Sequence, residues 1–179
     1  MRTISVKELM VPLEEYATVP EEATMHEAIL ALEKARKAFE PSQHKHHAIL
    51  VLDGSKNVVG KLSMFDILIA LEPKYDKLEN VGGYSPDFIK SMLNNNVFWN
   101  EPLELICDRA PNLKASDFME VPSDGVYIDE NATLGDAMHQ LIVCRYHSLL
   151  VTIDKKVVGV LRLTDVFTQI CNKIKACKT

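Results

Sequence analysis

"VVGKLSMFDIL", at residues 58–68, returns later in the chain as a near copy, "VVGVLRLTDVF", at residues 157–167. In both stretches a glycine is the third residue and an aspartate is the ninth, and the two copies begin 99 positions apart. Repetition of such a stretch inside a chain of 179 residues indicates an internal duplication, in which two copies of one structural unit pack on each other.

The similarity extends from these stretches toward the amino terminus. "HAILVLD", from His47, aligns with "HSLLVTI", from His147, at an offset of 100 residues. "LMVPLEEYATVPEEATMHEAILAL", from Leu9, aligns with "FMEVPSDGVYIDENATLGDAMHQL", from Phe118, at an offset of 109. The offset changes because the first copy has a longer loop around "KARKAFEPSQHK" and a longer turn in its hairpin. We therefore expect one unit at 1–71, a second at 114–179, and an unrelated insert at 72–113.

Each unit has the pattern of a strand, a helix, a two-stranded hairpin and a second helix. In the first unit, "YATV" precedes an apolar helical stripe over 21–38, and "AILVLD" and "VVGKLS" flank the turn "GSKN" before the helix "MFDILIALE". The second unit has corresponding strands, with helices predicted at 132–145 and at about 163–175. The sequence thus predicts an α+β fold of two β-α-β-β-α units. One small sheet alone leaves its apolar face open, so the two units must pack together.

The insert has no counterpart in the repeats and is predicted to be a helical hairpin. "YSPDFIKSMLNNN" has Ser85 at a helix N-cap and Pro86 in the first turn, and "NEPLELICDRA" is typical of a second helix. The insert is rich in aromatic residues, namely Tyr84, Phe88, Phe98 and Trp99. These side chains form either a small satellite core or a contact surface for a partner or a second protomer.

Composition narrows the classes of partner and compartment. The formal charge of −5, from 20 Lys+Arg and 25 Asp+Glu, gives no broad basic surface for nucleic acid or anionic lipid. The start of the chain lacks the apolar core of a signal peptide, and no apolar run is long enough to span a bilayer. The four cysteines form no C-x-x-C pair. We therefore expect a cytoplasmic protein with reduced thiols, no membrane association and no nucleic-acid partner.

The order of elements, with the phrases "VKELM", "ASDFM", "GKLSMFD" and "GVLRLTD", resembles the cystathionine-β-synthase (CBS) domain, which occurs in tandem as a Bateman module. The resemblance covers about 5–71 and 114–175. It implies two units related by a pseudo-twofold axis, packed sheet to sheet, with two clefts between them. Such modules usually bind adenosine-containing ligands in these clefts and often pair into disk-shaped homodimers.

The candidate ligand site lies where a strand ends and a helix begins, because free backbone N–H groups and the helix dipole there suit a phosphate. An aspartate in the first turn can accept hydrogen bonds from both ribose hydroxyls. The family's signature, a Ser or Thr followed three residues later by Asp, is matched by Ser63 and Asp66. The alternative is that this pair is only an S-x-x-D capping box, which stabilises the helix start by about 1 kcal/mol.

The second unit departs from this signature. Asp165 matches the aspartate, but Arg162 takes the place of the hydroxyl, and Thr164 carries a hydroxyl one residue before the aspartate. Arginine can pair with a phosphate more strongly than a hydroxyl can, yet its length can also fill the cleft. Asp165 can alternatively be an ordinary first-turn acid that the helix dipole favours.

Two histidines at equivalent positions before the buried strands, His47 and His147, are candidates for the mouth of a cleft, with a possible contact to ligand phosphate that the resemblance implies. By the same resemblance, the backbone of Ala48 and Ser148 and apolar residues near Ala17, Val19 and Tyr127 hold the adenine. "QHKHH", with His44, His46 and His47, also suggests a metal site. Adjacent residues at a strand entrance point to opposite faces, so we predict no metal.

The chain shows no catalytic motif. G-x-S-x-G, G-x-x-x-x-G-K and H-E-x-x-H are all absent from the sequence, so we predict that the protein is not an enzyme and requires no cofactor. The resemblance implies a regulatory module that binds AMP, ADP or ATP, ahead of S-adenosylmethionine, NAD or a cyclic dinucleotide, and that acts on a target in trans or through a homodimer. The alternative is a structural dimerisation module whose clefts are filled by its own side chains, with Arg162 as the plug.

Overall fold

Two small β-sheets, one built on each repeat, form the frame of the chain. The computed structural model describes residues 4–38, 46–71, 85, 87, 90–91 and 103–177. Its strands are β1 (Val11–Pro12), β2 (Thr18–Pro20), β3 (Ala48–Leu52), β4 (Val58–Ser63), β5 (Tyr127–Asp129), β6 (Ser148–Ile153) and β7 (Lys156–Arg162). Its helices are α1 (Met25–Ala38), α2 (Met64–Leu71), α3 (Leu103–Arg109), α4 (Leu134–Cys144) and α5 (Leu163–Ala176).

The first repeat consists of β2, α1, β3, β4 and α2, as the sequence pattern predicts. β3 is the central strand of its sheet, parallel to β2 and antiparallel to β4. It is a run of apolar residues because both of its faces are covered. The hairpin turn is closed by the side chain of Asp53, which accepts hydrogen bonds of 2.8 Å from the backbone N–H groups of Ser55 and Asn57.

The second repeat, of β5, α4, β6, β7 and α5, has the same order and the same pairing. α4 begins at a capping box in which the N–H of Asp136 donates to Thr133 Oγ1 at 3.2 Å and the N–H of Thr133 donates to the Asp136 carboxylate at 2.9 Å. It ends at Arg145, which has a left-handed backbone with φ of 55°. The predicted α+β fold of two β-α-β-β-α units is therefore confirmed.

The segments that precede the repeats, which we call the first lead-in (residues 5–12) and the second lead-in (residues 114–121), each pack on the sheet of the other repeat. In the first lead-in, Val11 of β1 pairs with Val160 of β7. In the second, Glu120 pairs with Lys61 of β4 through N–H···O bonds of 3.0 and 2.8 Å. These two pairs occupy equivalent positions of the repeats, so the exchange is reciprocal and follows a pseudo-twofold axis.

The glycine at the third position of the repeated stretch has a structural reason. A Cβ on Gly159 would lie 2.6 Å from the carbonyl oxygen of Val11 and 2.9 Å from Met10 Sδ. A Cβ on Gly60 would collide with the side chain of Met119, which is the equivalent of Met10. Each lead-in can therefore approach the opposite sheet closely only where that sheet has no side chain.

Apolar side chains form one core inside each repeat and a third between the two sheets. In the third core, Leu50 of β3 and Leu150 of β6 are 0% and 1% exposed and pack with Val11 and Val160. The apolar face of each sheet is thereby covered by the other sheet, and the predicted packing of sheet on sheet is confirmed.

The insert is described only in part. The second predicted helix is present as α3, at Leu103–Arg109. Of the first, the structure describes Ser85 outside a helix and Asp87, Lys90 and Ser91 within one. The four aromatic residues of the insert lie outside the described residues, so their packing stays a prediction. Within the described ranges, no helix is long and apolar enough to cross a membrane.

Candidate functional site

A cavity of about 580 Å³ opens where the two repeats meet, at the points where β4 continues into α2 and β7 continues into α5. Eight of the predicted site residues line it: His47, Ala48, Ser63 and Asp66 from the first repeat, and His147, Ser148, Arg162 and Thr164 from the second. The structure brings them together because the start of β3 pairs with the end of β4, and the start of β6 with the end of β7.

The other predicted residues lie away from this cavity. Ala17 and Val19 are buried in the core of the first repeat. Tyr127 packs beside the core between the sheets, and its backbone carbonyl accepts a hydrogen bond of 2.8 Å from Gln140. Asp165 does not line the cavity, and its carboxylate is paired with Arg162, which does. An adenine held by the first three residues would therefore sit outside this cavity.

In the first repeat, Ser63 and Asp66 form a capping box at the start of α2. The Ser63 N–H and Oγ–H donate to Asp66 Oδ2 at 2.7 and 2.6 Å, and the Asp66 N–H donates to Ser63 Oγ at 3.2 Å. Both side chains are half-buried. Among the described residues no donor bonds Asp66 Oδ1, which leaves this oxygen available at the cavity wall. The capping role and a ligand role are compatible, because they use different oxygens.

In the second repeat, the equivalent pair is an ion pair. Arg162 Nε donates to Asp165 Oδ2 at 2.6 Å, and an Arg162 terminal nitrogen donates to Asp165 Oδ1 at 2.7 Å. The arginine side chain is 7% exposed and the aspartate side chain 13%. Both carboxylate oxygens thus accept from one planar guanidinium, the bidentate geometry in which arginine binds carboxylates most strongly.

His47 and His147 join the strand starts to the helix starts. The backbone carbonyl of His47 accepts from the N–H of Met64 at 3.0 Å, and that of His147 accepts from the N–H of Leu163 at 2.9 Å. Both histidines are exposed residues that line the cavity. Thr164 Oγ1, also in the wall, is fully buried and has no hydrogen-bond partner among the described residues.

His46 has a different role from the one that its sequence neighbourhood suggests. Its ring is fully buried and meets the ring of Tyr16 edge to face, with 4.4 Å between centroids. Burial lowers the pKa of His46 to about 4; the charge of Arg162 adds to this lowering and that of Asp165 opposes it. Burial also raises the pKa of Tyr16 to about 12. The ring of His46 is committed to the protein interior, while His44 lies outside the described residues.

Within the described ranges, no group of three or more His, Cys, Asp or Glu side chains is arranged to hold a metal ion.

Sequence reasoning missed nine residues of the cavity wall, among them Lys61, Glu120, Arg145 and Tyr146. Lys61 forms an ion pair of 3.1 Å with Glu120, and its Nζ lies 5.9 Å from the ring centroid of Tyr146. Arg145 reaches the wall from the end of α4. Glu120 and Lys61 meet only because the lead-ins are exchanged, which one sequence does not reveal. The basic Arg145 and Lys61 line the same cavity as Asp66, a set of side chains suited to a ligand with both hydroxyls and phosphates.

The chain matches a family model described as "CBS domain" over residues 6–73 and 115–172. In structure it is similar to the CBS domain of a CBS domain containing membrane protein from Sphaerobacter thermophilus, with 19% identity, a TM-score of 0.62, and coverage of 93% of this chain and 88% of that one. It is also similar to CBSX2 in complex with AMP, with 19% identity, a TM-score of 0.61, and coverage of 94% and 97%.

A third similar structure is the CBS domain of the bacterial CNNM/CorC family Mg²⁺ transporter in complex with ATP, with 16% identity, a TM-score of 0.60, and coverage of 94% and 87%. No curated protein sequence matches the chain. At these identities the structural likeness establishes the fold, and the two matched segments correspond to the two repeats.

Proposed function

The chain belongs to the CBS domain family, as a tandem pair, and from that premise we propose that it is a regulatory module that binds an adenine nucleotide in the cavity between its repeats. AMP, ADP and ATP rank ahead of S-adenosylmethionine, NAD or a cyclic dinucleotide. Two structures of similar fold hold such ligands, AMP in CBSX2 and ATP in the CNNM/CorC domain, and this supports the class of ligand.

The observation that carries the proposal is the half-buried pair of Ser63 and Asp66 in the cavity wall. Asp66 Oδ2 is used by the capping box, and Oδ1 is available to accept from a ribose hydroxyl. The cationic side chains of Lys61 and Arg145 line the same cavity, as do His47 and the first turn of α2, and these groups suit the phosphates of a nucleotide. The cavity volume of about 580 Å³ is in the range of nucleotide-sized ligand pockets.

The proposed role is regulatory rather than catalytic. Modules of this family are typically regulatory, not catalytic, and this supports the proposed role. A ligand that binds one shape of the module better than another shifts the population of the two shapes and so transmits a signal. The signal would act on a target protein in trans or across a homodimer.

A homodimer is proposed on the exposed apolar face of the two equivalent helices α2 and α5. Phe65 and Leu68 of α2 are 70% and 65% exposed, and Phe167 of α5 is 63% exposed. Apolar residues that share such a face commonly mark a protein–protein contact. Mass measurement in solution tests it: the wild type is expected at twice the chain mass, and Phe65→Glu with Phe167→Glu at one. A wild-type monomer at high concentration would rule this interface out.

Isothermal titration of the wild type and Asp66→Ala with AMP, ADP and ATP tests the nucleotide site. The variant is expected to bind at least tenfold more weakly, a loss of about 1.4 kcal/mol. Asp136→Ala is the matched control, because it removes the same kind of capping box at the start of α4, away from the cavity. Equal affinity in the wild type and Asp66→Ala would remove the proposed site.

One observation favours the alternative of a structural module without a small-molecule ligand, namely that Arg162 fills the second of the two equivalent positions. Thermal unfolding separates the two functions. A nucleotide at 100 times its dissociation constant adds about 2.7 kcal/mol to the free energy of unfolding. No rise in melting temperature with any adenosine compound would favour the structural module.

A further inference from the structure

Among the differences between the two repeats in the cavity, one changes the residue that bonds the aspartate of the repeated stretch. Ser63 and Arg162 stand three residues before their aspartates, at the ends of equivalent strands. The serine bonds one oxygen of Asp66, whereas the arginine bonds both oxygens of Asp165. Asp66 lines the cavity and Asp165 does not.

The closure in the second repeat is strong enough to exclude a competing hydroxyl. The Arg162 side chain is 7% exposed and that of Asp165 13%, so the pair is largely shielded from water. A ribose that reached Asp165 would have to displace a bidentate, charge-assisted pair whose arginine is buried, which is strongly unfavourable. The two neutral hydroxyls of a ribose cannot replace the charge-assisted hydrogen bonds that Arg162 makes to Asp165.

We propose that the module binds one nucleotide per chain, on the half that contains Ser63 and Asp66, and that Arg162 is the residue that limits the number to one. This inference rests on the proposed nucleotide function and adds its stoichiometry. The repeat that remains closed is held in a fixed geometry whether or not nucleotide is present. Nucleotide therefore acts on the two repeats unequally, although their folds are equivalent.

Titration calorimetry of the full chain with ATP and AMP measures the stoichiometry directly. The wild type is expected to bind one nucleotide per chain and Arg162→Ser two, because the serine recreates in the second repeat the pair that the first already contains. Lys156→Ser is the matched control: it removes a positive charge from the exposed start of the same strand, β7, and stays at one. Melting temperatures without ligand verify that each variant is folded.

A swap of the two positions, Ser63→Arg with Arg162→Ser, gives a second test. This variant is expected to bind one nucleotide, with an affinity that falls at least tenfold on Asp165→Ala and is unchanged by Asp66→Ala. In the wild type, by contrast, Asp66→Ala weakens nucleotide binding at least tenfold.

The outcomes separate the inference from the proposed function. Two nucleotides on the wild type, or one in both the wild type and a folded Arg162→Ser, overturns the inference and leaves the nucleotide function standing. One nucleotide whose affinity is unaffected by Asp66→Ala also overturns it, and this is measured without any change at Arg162. No binding of ATP or AMP to the wild type or to Arg162→Ser overturns the proposed function itself.

Discussion

Replacement of His46 by glutamine should remove a large part of the acid sensitivity of this fold. The ring is fully buried, and its pKa falls from an ordinary 6.5 to about 4 because burial disfavours the charged form. In the unfolded chain the same histidine takes up a proton near pH 6.5. The difference between 6.5 and about 4, at about 1.4 kcal/mol for each pH unit, corresponds to roughly 3 kcal/mol.

The sign follows from which state binds the proton more readily. Above about pH 6.5 the histidine is neutral in both states and contributes no pH dependence. As the pH falls from 6.5 to about 4, the unfolded chain gains a proton that the folded chain does not, so the free energy of unfolding decreases. Below about pH 4 both states are protonated and the decrease stops.

Urea unfolding at half-unit steps from pH 7.5 to 4 measures this effect as a difference between variants. The wild type is expected to lose roughly 3 kcal/mol more than His46→Gln over this range, whatever the absolute stability of the variant at pH 7. Parallel curves for the wild type and His46→Gln would refute the assignment of a buried neutral imidazole.

Three further predictions concern the packing and the helix starts. Gly159→Ala should lower the free energy of unfolding by about 2 kcal/mol or more in urea, because its Cβ would lie 2.6 Å from a backbone carbonyl of the first lead-in. Gly54→Ala, whose Cβ would have no atom within 4 Å, is the control, and equal stabilities of the two variants would contradict the close approach. Leu150→Ala should cost about 3 kcal/mol in urea unfolding and the half-exposed Leu30→Ala under about 1 kcal/mol; a small loss at Leu150 would refute the core between the sheets. Asp136→Asn should be less stable than the wild type above pH 3.8, with a difference that shrinks as the pH falls through the lowered pKa of Asp136; a difference that is constant with pH would show that its capping bonds are not charge-dependent.

The fold could be predicted because its evidence is local and occurs twice. The apolar strand, the polar turn and the glycine-to-aspartate stretch each have a regular pattern, and every pattern returns in the second unit. What the single sequence could not supply is long-range pairing. The bridge between Lys61 and Glu120 depends on the exchange of lead-ins, and the burial of His46 against Tyr16 depends on the pairing of β2 with β3.

The sequence predicts the residues of the candidate site that lie at the starts of α2 and α5, but not the other residues of the cavity wall. Ser63, Asp66, Arg162 and Thr164 lie where strands end, so their convergence follows from the hairpins. The sequence leaves the role of Arg162 open between phosphate binding and filling of the cleft. The geometry shows that the Arg162 side chain pairs with Asp165. His46, Ala48 and Leu50 are at alternate positions and so share one face of an extended segment, which is the one signal that could have indicated the burial of His46.

The reciprocal exchange of lead-ins is the geometry of a domain-swapped dimer. Joining two such copies end to end makes their association intramolecular, so the partner of each half is always present at high effective concentration. The joining segment needs only to reach from one copy to the next, which leaves its length and sequence free to diverge. Each half depends on the other half for the lead-in that pairs with its sheet. A fragment that contains one half alone would therefore lack that lead-in, which only the other half can supply.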